Sequence, residues 1–161
     1  MLENRRIILR IEVNSVSITT SFNGEYTRTL DSKNRIVLPP QYKEEFPEGK
    51  FRVVCFPKDT FIRIYKSEEL DEILKDKVFV QGGGDQMQLI QRLIYSCLAP
   101  CTLDGQSRFT IPQKLIEIAG INKEVKMIGI GNRIELWNPD RLEESFNNIT
   151  EETLNSISFD F

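Results

Sequence analysis

The residues with most capacity for chemistry lie in one short polar stretch, Asp31-Ser32-Lys33-Asn34-Arg35. A lysine on a tight turn offers a point charge to a phosphate. An arginine beside it can fork onto a phosphate, or onto O6 and N7 of a guanine. Asp31 is of the type that accepts hydrogen bonds from the backbone amides ahead of it, as an Asx-turn. Asn34 is the type that, after glycine, best tolerates φ > 0. The spacing predicts a tight, exposed loop carrying Ser32, Lys33, Asn34 and Arg35, with Arg28 nearby on the preceding strand. An architectural reading stands beside this one: Asp31 and Arg35 pair across the turn and only hold its shape. It accounts less well for Lys33, because nothing in the turn needs a lone cation.

Other chemistry is poorly supplied. The chain has no histidine, which removes the commonest general base and the commonest metal ligand together. Cys97 and Cys101 lack CxxC spacing and partners for zinc, and with Cys55 they read as buried thiols in a reducing compartment. There is no Gly-Ser dipeptide for self-processing, and Asp59-Thr60-Phe61 lacks the glycine of an aspartic-protease motif. Neither an enzyme nor a bound cofactor or metal is expected. Gly82, Gly83 and Gly84 are not followed by Lys-Ser/Thr, so they read as a connector and not as a phosphate loop.

The elements that must position the turn are written twice. Leu30-Asp-Ser-Lys-Asn-Arg-Ile-Val-Leu-Pro39 returns as Leu103-Asp-Gly-Gln-Ser-Arg-Phe-Thr-Ile-Pro112, 73 residues later. A short helix follows each proline (Gln41–Phe46 and Gln113–Ile118), with Gly49 and Gly120 placed as left-handed helix ends. Then come two strand-like runs per copy: Lys50–Phe56 with Phe61–Tyr65, and Glu124–Ile130 with Arg133–Trp137. Ser67 and Asn138 stand as N-caps of further helices. Ser67 to about Lys77 reads as a helix, and so does Asp85–Tyr95, with Met87, Ile90, Leu93 and Ile94 on one face.

Four short strands bury little alone, whereas two units side by side can close a small barrel. The expected interior is Ile36, Leu38, Val53, Ile62, Ile64, Phe109, Ile111, Met127, Ile134 and Leu136. The organisation is then an extension (1–21), a first repeat (22–70), a helical connector (71–96), a second repeat (97–142) and a helix or tail (143–161). The second turn, Asp104-Gly-Gln-Ser-Arg108, has lost its lysine and reads mainly as a scaffold copy. Asp104 holds its shape and Arg108 is a lesser contributor to binding.

The combined motifs resemble the MraZ family of bacterial transcription regulators, in which Phe-x-Gly leads into Leu-Asp-x-Lys-Gly-Arg-x-x-x-Pro. The resemblance runs from about Phe22 to Phe146, through Leu103–Arg108 and Ile128–Trp137. It implies an α+β, AbrB-like swapped-hairpin barrel with pseudo-twofold symmetry and short flanking helices. It also implies ring-shaped homo-oligomers that repress the division and cell-wall gene cluster through promoter direct repeats in double-stranded DNA. Lys33 and Arg35 carry the DNA binding in that comparison. Asn34 and Ser107 depart from the family by replacing its glycines.

Members usually begin near Phe22, which leaves Met1–Ser21 as an extra strand, a disordered arm or a misassigned start.

The chain's formal charge of −3, from 21 basic and 24 acidic residues, excludes a general basic coat. DNA affinity must come from local cations presented many times over. A cytoplasmic protein at the nucleoid is expected, with no membrane span and no signal peptide. The rival reading is a non-catalytic scaffold or antitoxin-like interaction module on the same fold.

Overall fold

The computed structural model describes residues 22–79 and 83–160. The expectations for the segment up to Ser21, and those for Gln81 and Gly82, lie outside the described residues.

The first repeat contributes β1 (Glu25–Thr29), β2 (Arg35–Val37), helix α1 (Pro40–Lys43), β3 (Lys50–Val54), β4 (Ile62–Tyr65) and α2 (Ser67–Ile73). A π-helical turn (Leu74–Phe79) and α3 (Asp85–Ser96) lead into the second. That repeat supplies β5 (Leu98–Thr102), β6 (Arg108–Thr110), α4 (Gln113–Ala119), β7 (Glu124–Gly129), β8 (Ile134–Trp137) and α5 (Pro139–Asn147), followed by α6 (Glu151–Asn155).

The repeats exchange strands. Six strands form an antiparallel sheet in the order β1-β7-β8-β4-β3-β5, and β2 pairs with β6 in a separate ribbon. Strand β1 of the first repeat pairs with β7 of the second, and β5 of the second pairs with β3 of the first. Swapping each strand for its repeat counterpart reverses the sheet order and returns the same sheet, which is the signature of a pseudo-twofold axis between β4 and β8. β2 packs against β1 and β6 against β5, so the ribbon bridges the ends of the sheet. One interior results, and this is the swapped-hairpin architecture.

Strand alternation explains what fills that interior. Ile36, Leu38, Val53, Ile62, Ile64, Phe109, Ile111, Met127, Ile134 and Leu136 are all buried in one cluster. Phe51 joins them, with its ring edge-on to Phe109 at 4.9 Å. A smaller cluster on the sheet's other side gathers Val54, Tyr65, Leu70, Leu74 and Ile94 under α2 and α3.

Several local expectations are corrected. Helix α1 stops at Lys43, before the expected Phe46. Pro47 disfavours helical backbone at the residue before it, and two tight turns finish the segment. Ser67 is the first residue of α2, not its cap; Lys66 holds the cap position without a side-chain bond. The helix expected to reach Lys77 changes to the π form at Leu74. On α3 only Ile94 is buried; Ile90 and Leu93 are exposed together with Leu89. Asn138 does cap α5, accepting from the amides of Asp140 and Arg141. Gly49 and Gly120 both have left-handed backbone, and Gly120 closes α4.

Candidate nucleic-acid interface

Each turn is built by its aspartate. The Asp31 carbonyl accepts from the Asn34 amide at 3.1 Å, and its amide donates to the Arg35 carbonyl at 3.0 Å. One carboxylate oxygen, Oδ1, takes the amides of Lys33 at 2.9 Å and Arg35 at 2.8 Å. The other, Oδ2, takes Nε of Arg35 at 2.7 Å. The second turn repeats this geometry. Asp104 Oδ1 accepts from the amides of Gln106 and Arg108, and Oδ2 from Arg108 Nε at 2.8 Å.

The amides of Arg35 and Arg108 hold the carboxyls of Asp31 and Asp104, respectively, below the usual aspartate range. They act against desolvation, the next largest influence, and the amides of Lys33 and Gln106 and the paired guanidinium groups add to them. Asn34 and Ser107 sit in left-handed backbone, at φ 59° and 60°. These are the two positions at which the resemblance to the MraZ family leads one to expect glycine.

The clamp therefore uses only the inner edge of each guanidinium. Nη1 and Nη2 of Arg35 and of Arg108 have no partner among the described residues, and each arginine side chain is about 30% exposed. This is the edge that can fork onto a phosphate or a guanine. The Lys33 side chain is exposed and likewise has no partner among the described residues; only its backbone amide is engaged.

Ser32 is exposed beside it. Arg28, on β1, has its guanidinium 5.6 Å from the Tyr26 ring centroid, donating to the Thr27 carbonyl at 3.0 Å.

The β2–β6 ribbon brings both arginines to one face. Its register sets Arg35 opposite Thr110 and Val37 opposite Arg108, around a central Ile36–Phe109 pair. Ile36 and Phe109 point inward and are buried, so the other four side chains lie on the outer face. Arg35 and Arg108 are diagonal neighbours, a relation that places residues about 7–8 Å apart.

Known proteins are similar to this chain in sequence. The family profile described as "MraZ protein, putative antitoxin-like" matches residues 99–158. A protein of Methylococcus capsulatus named "Transcriptional regulator MraZ" is 35% identical over 119 residues, covering 72% of this chain and 78% of its own length. The relatives of that name in Halothermothrix orenii and Ligilactobacillus salivarius are each 33% identical. The alignments cover 80% and 86% of this chain, and 93% and 99% of those proteins. The chain belongs to the MraZ family.

Two polar contacts of this MraZ-family chain escape a reading of the turns alone. Nδ2 of Asn34 donates to Oε1 of Gln113 at 2.9 Å, and Nζ of Lys43 donates to Oγ of Ser107, also at 2.9 Å. Each turn is thus met by a side chain from the short helix of the other repeat. No spacing within either repeat signals such a contact, because strand exchange creates it. Among the described residues, no group of three or more His, Cys, Asp or Glu converges as a metal site.

Proposed function

We propose that this chain is a non-catalytic, DNA-binding transcriptional repressor. It acts as a ring-shaped homo-oligomer on direct repeats in the promoter of a division and cell-wall gene cluster. The observation that carries the reading is Arg35, clamped through Nε and open at its outer edge, beside an uncommitted Lys33. The relatives' name, transcriptional regulator, supports it.

The acidic balance of the chain is compatible with this role when small cationic turns act together. One bidentate arginine–guanine pair discriminates by about 1–3 kcal/mol. Linked sites of fitting spacing raise avidity by roughly 10²–10⁴-fold. A head-to-tail ring repeats its contact in one sense, as direct repeats do. The protein would then work in the cytoplasm, at the nucleoid. No helix among the described residues is long and apolar enough to cross a membrane.

A gel shift on the region upstream of the protein's own gene, at two salt concentrations, tests the proposal. Arg35→Ala and Lys33→Ala are each expected to abolish specific binding and to leave the oligomer intact by sedimentation. Unchanged affinity in either variant refutes the site. The family profile's wording, antitoxin-like, favours one second reading, a non-catalytic interaction scaffold. Absent or sequence-independent binding by the wild-type protein would support it.

A further inference from the structure

The two turns share a backbone and a clamp but not a charge. The first holds one aspartate with two cations, Lys33 and Arg35. The second holds Asp104 with Arg108 alone, because Gln106 stands where the first has Lys33. The contacts lent by the opposite helices make up this difference. At the first turn the lent group is Gln113, which is neutral; at the second it is Lys43, which is charged. With Lys43 counted, both turns carry one aspartate and two cations.

We propose that Lys43 is a nucleic-acid contact, and that it completes a second DNA-binding turn at residues 104–108 with a cation supplied by the other repeat. Lys43 is exposed at the end of α1, and its ammonium has three donor protons, of which Ser107 uses one. The remaining two are available to phosphate oxygens. Its bond to Ser107 fixes where the charge stands relative to the free edge of Arg108. The adjacent cleft is also lined by Glu44 and Glu48, so the positive charge is local to the turn and does not extend into a basic field. Arg35 and Arg108 share the outer face of the ribbon, so one duplex can meet both turns.

The inference rests on the DNA-binding reading above, and its test separates the two. Duplex binding is followed by fluorescence anisotropy from 50 to 200 mM salt. The probes are the upstream-region duplex and a scrambled duplex of equal length. Losing one phosphate contact reduces the slope of log affinity against log salt by about 0.9. For Lys43→Gln that is expected for each engaged subunit, and it narrows the affinity change across this salt range about 3.5-fold. Lys43→Arg keeps the charge and should keep the slope. Ser107→Ala removes the brace but not the cation, and should also keep it.

If Lys33→Gln lowers the slope and Lys43→Gln does not, the inference is overturned and the functional reading stands. If Ser107→Ala reproduces Lys43→Gln, Lys43 is a brace only, and the inference is again overturned. Wild-type protein that binds neither duplex overturns both.

Discussion

The chain's entry into β1 passes so close to β7 that one added methyl group should measure the contact. A Cβ placed on Gly129 would lie 2.6 Å from the carbonyl carbon of Phe22 and 2.8 Å from Cα of Asn23, and closer still to the Asn23 nitrogen. All three atoms are backbone, so no side chain can swing aside. Overpacking of this kind costs about 1–3 kcal/mol.

The segment that must move is also tied by hydrogen bonds. Phe22 and Gly131 exchange two, at 3.1 and 2.8 Å, and the Gly129 amide donates to the Gly24 carbonyl at 2.9 Å. Each contributes about 0.5–1.5 kcal/mol net. Partial loss of these brings the expected destabilisation of Gly129→Ala to about 2–5 kcal/mol. For a chain of this size each kcal/mol lowers the melting temperature by about 2–4 °C, so a fall of roughly 5–15 °C is expected by differential scanning calorimetry. Gly105→Ala is the control, since a Cβ there meets nothing within 4 Å. Melting of the two variants within 2 °C or so of each other would refute the close approach.

Two further outcomes follow from ionisation. The folded-state carboxyls of Asp31 and Asp104 titrate lower than in an unfolded chain. Their contribution to stability is therefore present above the ordinary aspartate range near 4, and is lost as pH falls through the depressed folded values. Amide resonances of Lys33, Arg35, Gln106 and Arg108 should shift only below that range, and titration at or above it would contradict the clamp. Burial pushes the thiols of Cys55 and Cys101 up to about 12. At pH 8 their thiolate fraction is then smaller than that of a free cysteine by about a thousandfold. Mass spectrometry should find both unmodified after iodoacetamide treatment of the native protein and alkylated after denaturation. Rapid native labelling would show that they are not buried.

The turns were legible in the sequence because their chemistry is local. Asp31 and Asp104 bond to amides two and four residues ahead, and Asn34 advertises its backbone by its type. The interior was legible through the alternation of Ile62 and Ile64, or of Ile134 and Leu136, around polar neighbours. Which strand lies beside which was not, since alternation tells which face is buried and is silent about partners. Lys43 was missed for that reason, as its relation to Ser107 exists only after the strands are exchanged. Arg28 reads as a companion of the turn by nearness in sequence, and in the fold its guanidinium also lies near the Tyr26 ring. The exposure of Ile90 and Leu93 shows the reverse limit: a helical stripe specifies a common face and not whether this chain covers it.

The exchange of β1 and β5 also bears on how such a chain folds and fails. Neither half has its own complete hairpin partners, so a fragment ending in the connector would leave β1 and β3 searching for edges in other molecules. Two separate halves would have to find each other from solution, whereas the tether holds them at an effective concentration of order millimolar. Carrying both repeats on one chain thus confers more than convenience: it guards both open edges against the wrong neighbour while the protein is being made.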